Sequence, residues 1–68
     1  MRIAIIGKQG SGKTHFANII NKSIHIPIID IYNPDYELKE EGIFCFQEKA
    51  YCKEEDFDYV IKISKNGN

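Results

Sequence analysis

The run Ile3-Ala4-Ile5-Ile6, then Gly7-Lys8-Gln9-Gly10-Ser11-Gly12-Lys13-Thr14, then Phe16, Ala17, Ile20 and Ile24 at helical spacing, constrains this chain more than any other feature. Four consecutive apolar residues read as a buried strand, and the later apolar positions define one face of a helix. The stretch between them matches the Walker A pattern G-x-x-x-x-G-K-[ST] and sits where a phosphate loop must sit, after a strand and before a helix.

Those residue types have a physical reason. Gly7, Gly10 and Gly12 allow positive φ and close backbone approach, so that successive N–H groups point inward and form a concave anion nest. The following helix adds its unpaired N–H groups and the positive end of its dipole. Lys13 is expected to reach the β- and γ-phosphates as a mobile charge, and the Thr14 hydroxyl to ligate Mg2+. His15, next in line, either donates to a phosphate or faces solvent. The expected ligand-binding set is therefore Gly7, Lys8, Gln9, Gly10, Ser11, Gly12, Lys13, Thr14 and His15.

The first strand covers about residues 2–6 and the first helix about 13–22. A second strand, 26–31, is nearly all apolar, which suits a parallel strand covered on both faces. Pro27 fits only at its first ladder position or on an edge. Asp30 ends that strand, where a carboxylate reaches either a Mg2+ shell or a substrate hydroxyl at the carboxyl edge of the sheet. Asn33-Pro34 and Gly42 bracket an acidic stretch that reads as a two-turn helix, with Asn33 as cap and Pro34 in the first position.

A third strand is expected over 43–46 or 47, ending in Phe46-Gln47 without a carboxylate. A fourth follows at 57–63, with Phe57, Tyr59, Ile61 and Ile63 on one side and Asp58, Val60 and Lys62 on the other. A hairpin over 43–53 is the alternative, although no Asn-Gly or Asp-Gly marks its turn. Residues 65–68 are expected to fray. The fold class is thus α/β: a minimal phosphate-loop domain over residues 1–64, three-layered, with about four mostly parallel strands in an order near 2-3-1-4 and one main helix.

With 68 residues the chain builds one small core. One long and one short helix cannot cover both faces of a four-stranded parallel sheet, so a homo-oligomer, most simply a dimer, or another protein partner is expected. The net charge is −1 and no basic stripe stands out, which does not indicate nucleic-acid binding. No apolar run approaches a membrane span, and the N-terminus has no signal-peptide layout, so a cytoplasmic location is expected. Cys45 and Cys52 are too far apart for C-x-x-C and read as free thiols. Tyr32, Tyr36 and Tyr51 suit either base stacking or the core.

The residues from Met1 through Thr14, with Ile26-Pro27-Ile28-Ile29-Asp30-Ile31-Tyr32 and Pro34, resemble the small nucleoside-monophosphate-kinase-like ATPases. They are most similar to the adenylate-kinase-related proteins known as DNA topology modulation proteins. The likeness covers about residues 1–35, and 57–63 is similar to a late strand of that family. The resemblance implies a parallel sheet of order 2-3-1-4-5, ATP on the phosphate loop and an acceptor held by a separate lobe. It implies a substrate-side role for Asp30, whereas the bare pattern equally suits a metal-orienting carboxylate. At His15 the family usually has a small hydroxyl residue that meets the α-phosphate.

Phosphoryl transfer of this kind uses several arginines, yet the chain has one, Arg2, at the start of the first strand. The expected function is binding of a purine nucleoside triphosphate, ATP by resemblance or else GTP, with Mg2+ held by Thr14 and Asp30. Lys13 and Asp30 are the candidate catalytic residues, and weak or no transfer by the isolated chain is expected. Two alternatives stand beside it: a phage-encoded interaction module or inhibitor that keeps the loop as scaffold, and a small kinase completed by a partner chain.

Overall fold

The computed structural model describes residues 1–64; the tail expected to fray, 65–68, lies outside the described residues. Strand β1 (Arg2–Ile6) leads through the glycine loop into helix α1 (Lys13–Ile24), followed by β2 (Ile28–Ile31) and β3 (Gly42–Phe46). Single 3₁₀ turns at Lys49–Tyr51 and Glu54–Asp56 precede β4 (Tyr59–Lys62). All pairings are parallel and the order is β2-β3-β1-β4, with Ile5 opposite Cys45 and Ile61, and Cys45 opposite Asp30. The hairpin alternative is thereby excluded, since β3 and β4 both pair with β1. No helix among the described residues is long and apolar enough to cross a membrane.

Parallel strands carry their side chains to two buried faces. On one face Ile3, Ile5, Ile43 and Cys45 lie under Ala17, with Phe16 and Ile20 of α1 packed against them. On the other, Ala4, Ile6, Phe44 and Phe46 are covered without a helix, by Tyr36, Leu38, Tyr51 and Phe57. Phe57 stands edge-on to Phe44 and Phe46, with ring centroids 5.3 and 5.6 Å away, and Tyr36 meets Phe46 at 5.4 Å. Such edge-to-face pairs are favoured by the ring quadrupole.

That second face corrects the expected helix after Asn33. The Asp35 N–H donates to Asn33 Oδ1 at 3.0 Å, which makes a local turn in place of a helix cap. Residues 33–41 then run as an irregular strap. Tyr36 and Leu38, two apart, share a side in an extended chain but not on a helix. Gly42 opens β3 instead of ending a helix, its N–H donating to the Met1 carbonyl at 3.2 Å. Arg2 fastens the strap: Nε donates to the Lys39 carbonyl at 2.7 Å and Nη1 to the Asp56 carbonyl at 3.4 Å.

Three smaller corrections follow from the sheet. β2 is an edge strand that starts after Pro27, whose carbonyl accepts the Ile43 N–H at 2.7 Å; only Ile31 within it is fully buried. α1 runs two residues past Lys22 and stops at His25, which is left-handed (φ 52°) and gives its N–H to the Asn21 carbonyl at 2.9 Å. Phe57 precedes β4 and packs on the face of Val60, opposite Ile61 and Ile63, because alternation holds only inside the strand.

Candidate functional site

The carboxyl ends of the strands meet the start of α1, and the loop is held there by backbone bonds. Gly7 N–H donates to the Phe46 carbonyl at 3.0 Å, tying the loop to β3, and Ser11 N–H closes a turn onto the Lys8 carbonyl at 3.0 Å. Gly10 (φ 84°) and Gly12 (φ 91°) take left-handed conformations that cost other residues strain, and the loop curls back into the helix through them. α1 has no side-chain cap and no acidic residue in its first turn. The first N–H groups of a helix have no intrahelical acceptor, so this end presents donors and the positive end of the dipole.

Lys13 begins the helix and is only 8% exposed. Among the described residues it has no ion-pair partner within 4.0 Å. Its side chain borders a cavity of about 300 Å3 lined by Gln9, Gly10, Gly12, Lys13, Thr14, His15, Asp30, Tyr32, Cys45 and Gln47. Strand register explains the opposite wall, because Asp30 and Cys45 are direct neighbours at the ends of β2 and β3. Burial pushes the Cys45 thiol from 9.0 up to about 11; the Asp30 carboxylate adds to that rise and the Lys13 ammonium opposes it. At neutral pH Cys45 is therefore a protonated, inert floor between two charged groups.

Of the expected residues, Gln9, Gly10, Gly12, Lys13, Thr14, His15 and Asp30 come together in this cavity. Gly7, Lys8 and Ser11 do not line it. Gly7 is buried at the root of the loop, and a Cβ there would lie 2.5 Å from Ser11 Oγ. That hydroxyl is buried against Gly7 with no hydrogen-bond partner among the described residues. Lys8 is exposed and turns to a second hollow across the loop.

Tyr32, Cys45 and Gln47 are lining residues that the motif does not reveal. Parallel register is the signal for Cys45, and the end of an apolar run beside the loop strand is the signal for Gln47. Tyr32, the aromatic residue left open to a ligand, is 65% exposed; Tyr36 and Tyr51 belong to the core.

The Thr14 hydroxyl and the Asp30 carboxylate offer two hard oxygen ligands on one cavity. Among the described residues no group of three or more His, Cys, Asp or Glu side chains is placed to hold a metal. Such a pair fits Mg2+, which keeps waters and takes further oxygens from phosphates, and does not make a protein-only cage. Comparisons of the chain with protein-family models, with curated proteins and with solved structures give no match.

Proposed function

We propose that this chain binds the triphosphate of a purine nucleoside triphosphate as its Mg2+ complex, with weak or no phosphoryl transfer by the chain alone. The resemblance of residues 1–35 to nucleoside-monophosphate-kinase-like ATPases favours ATP over GTP. The observation that carries the proposal is Lys13, 8% exposed at an uncapped helix N-terminus and with no ion-pair partner within 4.0 Å among the described residues, bordering a cavity with Asp30 on its far wall. A cation held at the positive end of a helix dipole is uncompensated there, and a polyphosphate supplies its counter-charge. In this reading the loop N–H groups and Lys13 hold the β- and γ-phosphates. Thr14 and Asp30 orient the metal, and His15 lies near the α-phosphate.

Transfer lacks its usual electrostatic support. Arg2 is bound to the Lys39 and Asp56 carbonyls at the amino edge of the sheet, away from the loop. The strand beside the loop strand is followed by Gln47, an amide that cannot neutralise metal charge as a carboxylate does. Efficient transfer would need cationic groups from another chain. Self-association is no longer required to cover a sheet face, so a dimer would use the edge strands or the outer side of α1, where Ile19 is 49% exposed.

Isothermal titration with Mg-ATP tests the proposal. The wild-type chain is expected to bind one equivalent and Lys13→Ala to bind about 10- to 100-fold more weakly, from the ~1.5–3 kcal/mol typical of a hydrogen bond to a charged group. Equal affinity of the two proteins would remove the basis for the proposal.

A further inference from the structure

Across the loop from the phosphate cavity lies a larger hollow, about 520 Å3, that the triphosphate reading leaves unused. Its volume is that of a small-molecule site. Ile6 and Ile63 border it at the ends of their strands, and three lysines line it: Lys8 from the loop, Lys49 from the first 3₁₀ turn and Lys62 from β4. One carboxylate, Glu48, opposes them in the wall. Lys62 also pairs with Glu54 at 3.3 Å, both half exposed, a contact that solvent weakens and a stronger anion displaces. Lys8 and Lys49 have no ion-pair partner within 4.0 Å among the described residues. Gln9 and Gln47 border both cavities, so the two are neighbours at the carboxyl edge of the sheet.

We propose that this hollow is a second anion site, which binds a small phosphate monoester whose phosphate meets Lys8, Lys49 and Lys62 and whose organic part rests on Ile6 and the lysine stems. Lysines from three separate elements line it, and a wall that joins lysine stems and Ile6 to charged heads suits a phosphorylated organic molecule better than a bare ion. The inference goes beyond the triphosphate reading, and its lysines differ from Lys13, so each can fail alone.

Ribose 5-phosphate is the probe, with ribose and inorganic phosphate as controls. Binding is followed by residue-resolved NMR, both on the free chain and with the loop loaded by a non-hydrolysable Mg-ATP analogue. Saturable shifts are expected at Lys49, Lys62 and Ile63, with ribose silent and inorganic phosphate weaker. Lys49→Ala and Lys62→Ala are each expected to weaken the probe about 10-fold, and Glu48→Gln to tighten it about 3-fold, while analogue affinity stays unchanged. A gain in Glu48→Gln has no explanation in lost folding. Shifts confined to Lys13 and Thr14, indifference to all three variants, or no saturation would overturn the proposal, whether or not the analogue binds. Inorganic phosphate matching the probe would also overturn it, as a site for a free ion only.

Discussion

Cys45 shows how one residue reports on the site around it. Its thiol is held protonated to about pH 11, against 9.0 ordinarily, first by burial and then by Asp30. Between those values the unfolded chain binds fewer protons than the native one, so stability falls as pH rises through that window. Two pH units correspond to about 3 kcal/mol. Urea unfolding at pH 8 and pH 10.5 should show about 2 kcal/mol of that loss in the wild type, and Cys45→Ala should lack that share. The comparison is needed because Cys52, raised from 9.0 to about 11 by burial and then by the Glu54 carboxylate, and Tyr36, also raised by burial and by the Cys52 and Asp56 charges, titrate in the same alkaline range and remain in both proteins. An equal alkaline loss in the two proteins would place the titrating group elsewhere.

At the scale of elements, the strap over residues 33–41 does the work of a second helix, and Arg2 and Tyr36 hold it. Arg2→Ala removes the bond to the Lys39 carbonyl at a partly exposed site and should cost about 1 kcal/mol. Tyr36→Ala uncovers Phe44 and Phe46 and should cost about 3 kcal/mol, within the range for truncating large aromatic side chains. Urea midpoints order the two variants, and a milder Tyr36→Ala would mean that the strap does not seal that face. The same segment marks the limit of what the sequence discloses. β1, the loop and α1 were legible because their signals are local: an apolar run, glycines at fixed offsets and a helical repeat. Asn33, Pro34 and Gly42 carry equally local helix signals, but Phe44 and Phe46, far along the sheet, claim Tyr36 and Leu38 at strand spacing. Long-range burial outweighs capping preferences worth about 1 kcal/mol. In the site, Lys13 and Thr14 were legible from the motif, and Asp30 from the end of its strand. Cys45 reaches the cavity only through the register of β3 against β2 and β1, which no local pattern reports, whereas Gln47 follows the apolar run that ends at Phe46.

For the molecule as a whole, the site and the stability of the fold oppose each other through Lys13. A domain this small has little stability in reserve, yet it holds the Lys13 ammonium at the positive end of the α1 dipole, with no ion-pair partner within 4.0 Å among the described residues. Replacing it by a residue of similar length and no charge relieves that cost, so Lys13→Met should be about 1 kcal/mol more stable than wild type without ligand, the size of a charge interaction with a helix terminus. Ligand reverses the order. Mg-ATP at about 100 times its dissociation constant adds ~2.7 kcal/mol to any fold that binds it. In a domain of this size each kcal/mol moves the melting temperature by roughly 4–8 °C, so the wild type should gain about 10 °C or more and Lys13→Met almost none. Thermal melts of both proteins, with and without Mg-ATP, therefore carry two opposite signs in one experiment. A wild type already as stable as Lys13→Met without ligand would mean that the ammonium is satisfied within the chain. A Lys13→Met protein that keeps the ligand-induced rise would mean that the triphosphate is held somewhere other than the loop.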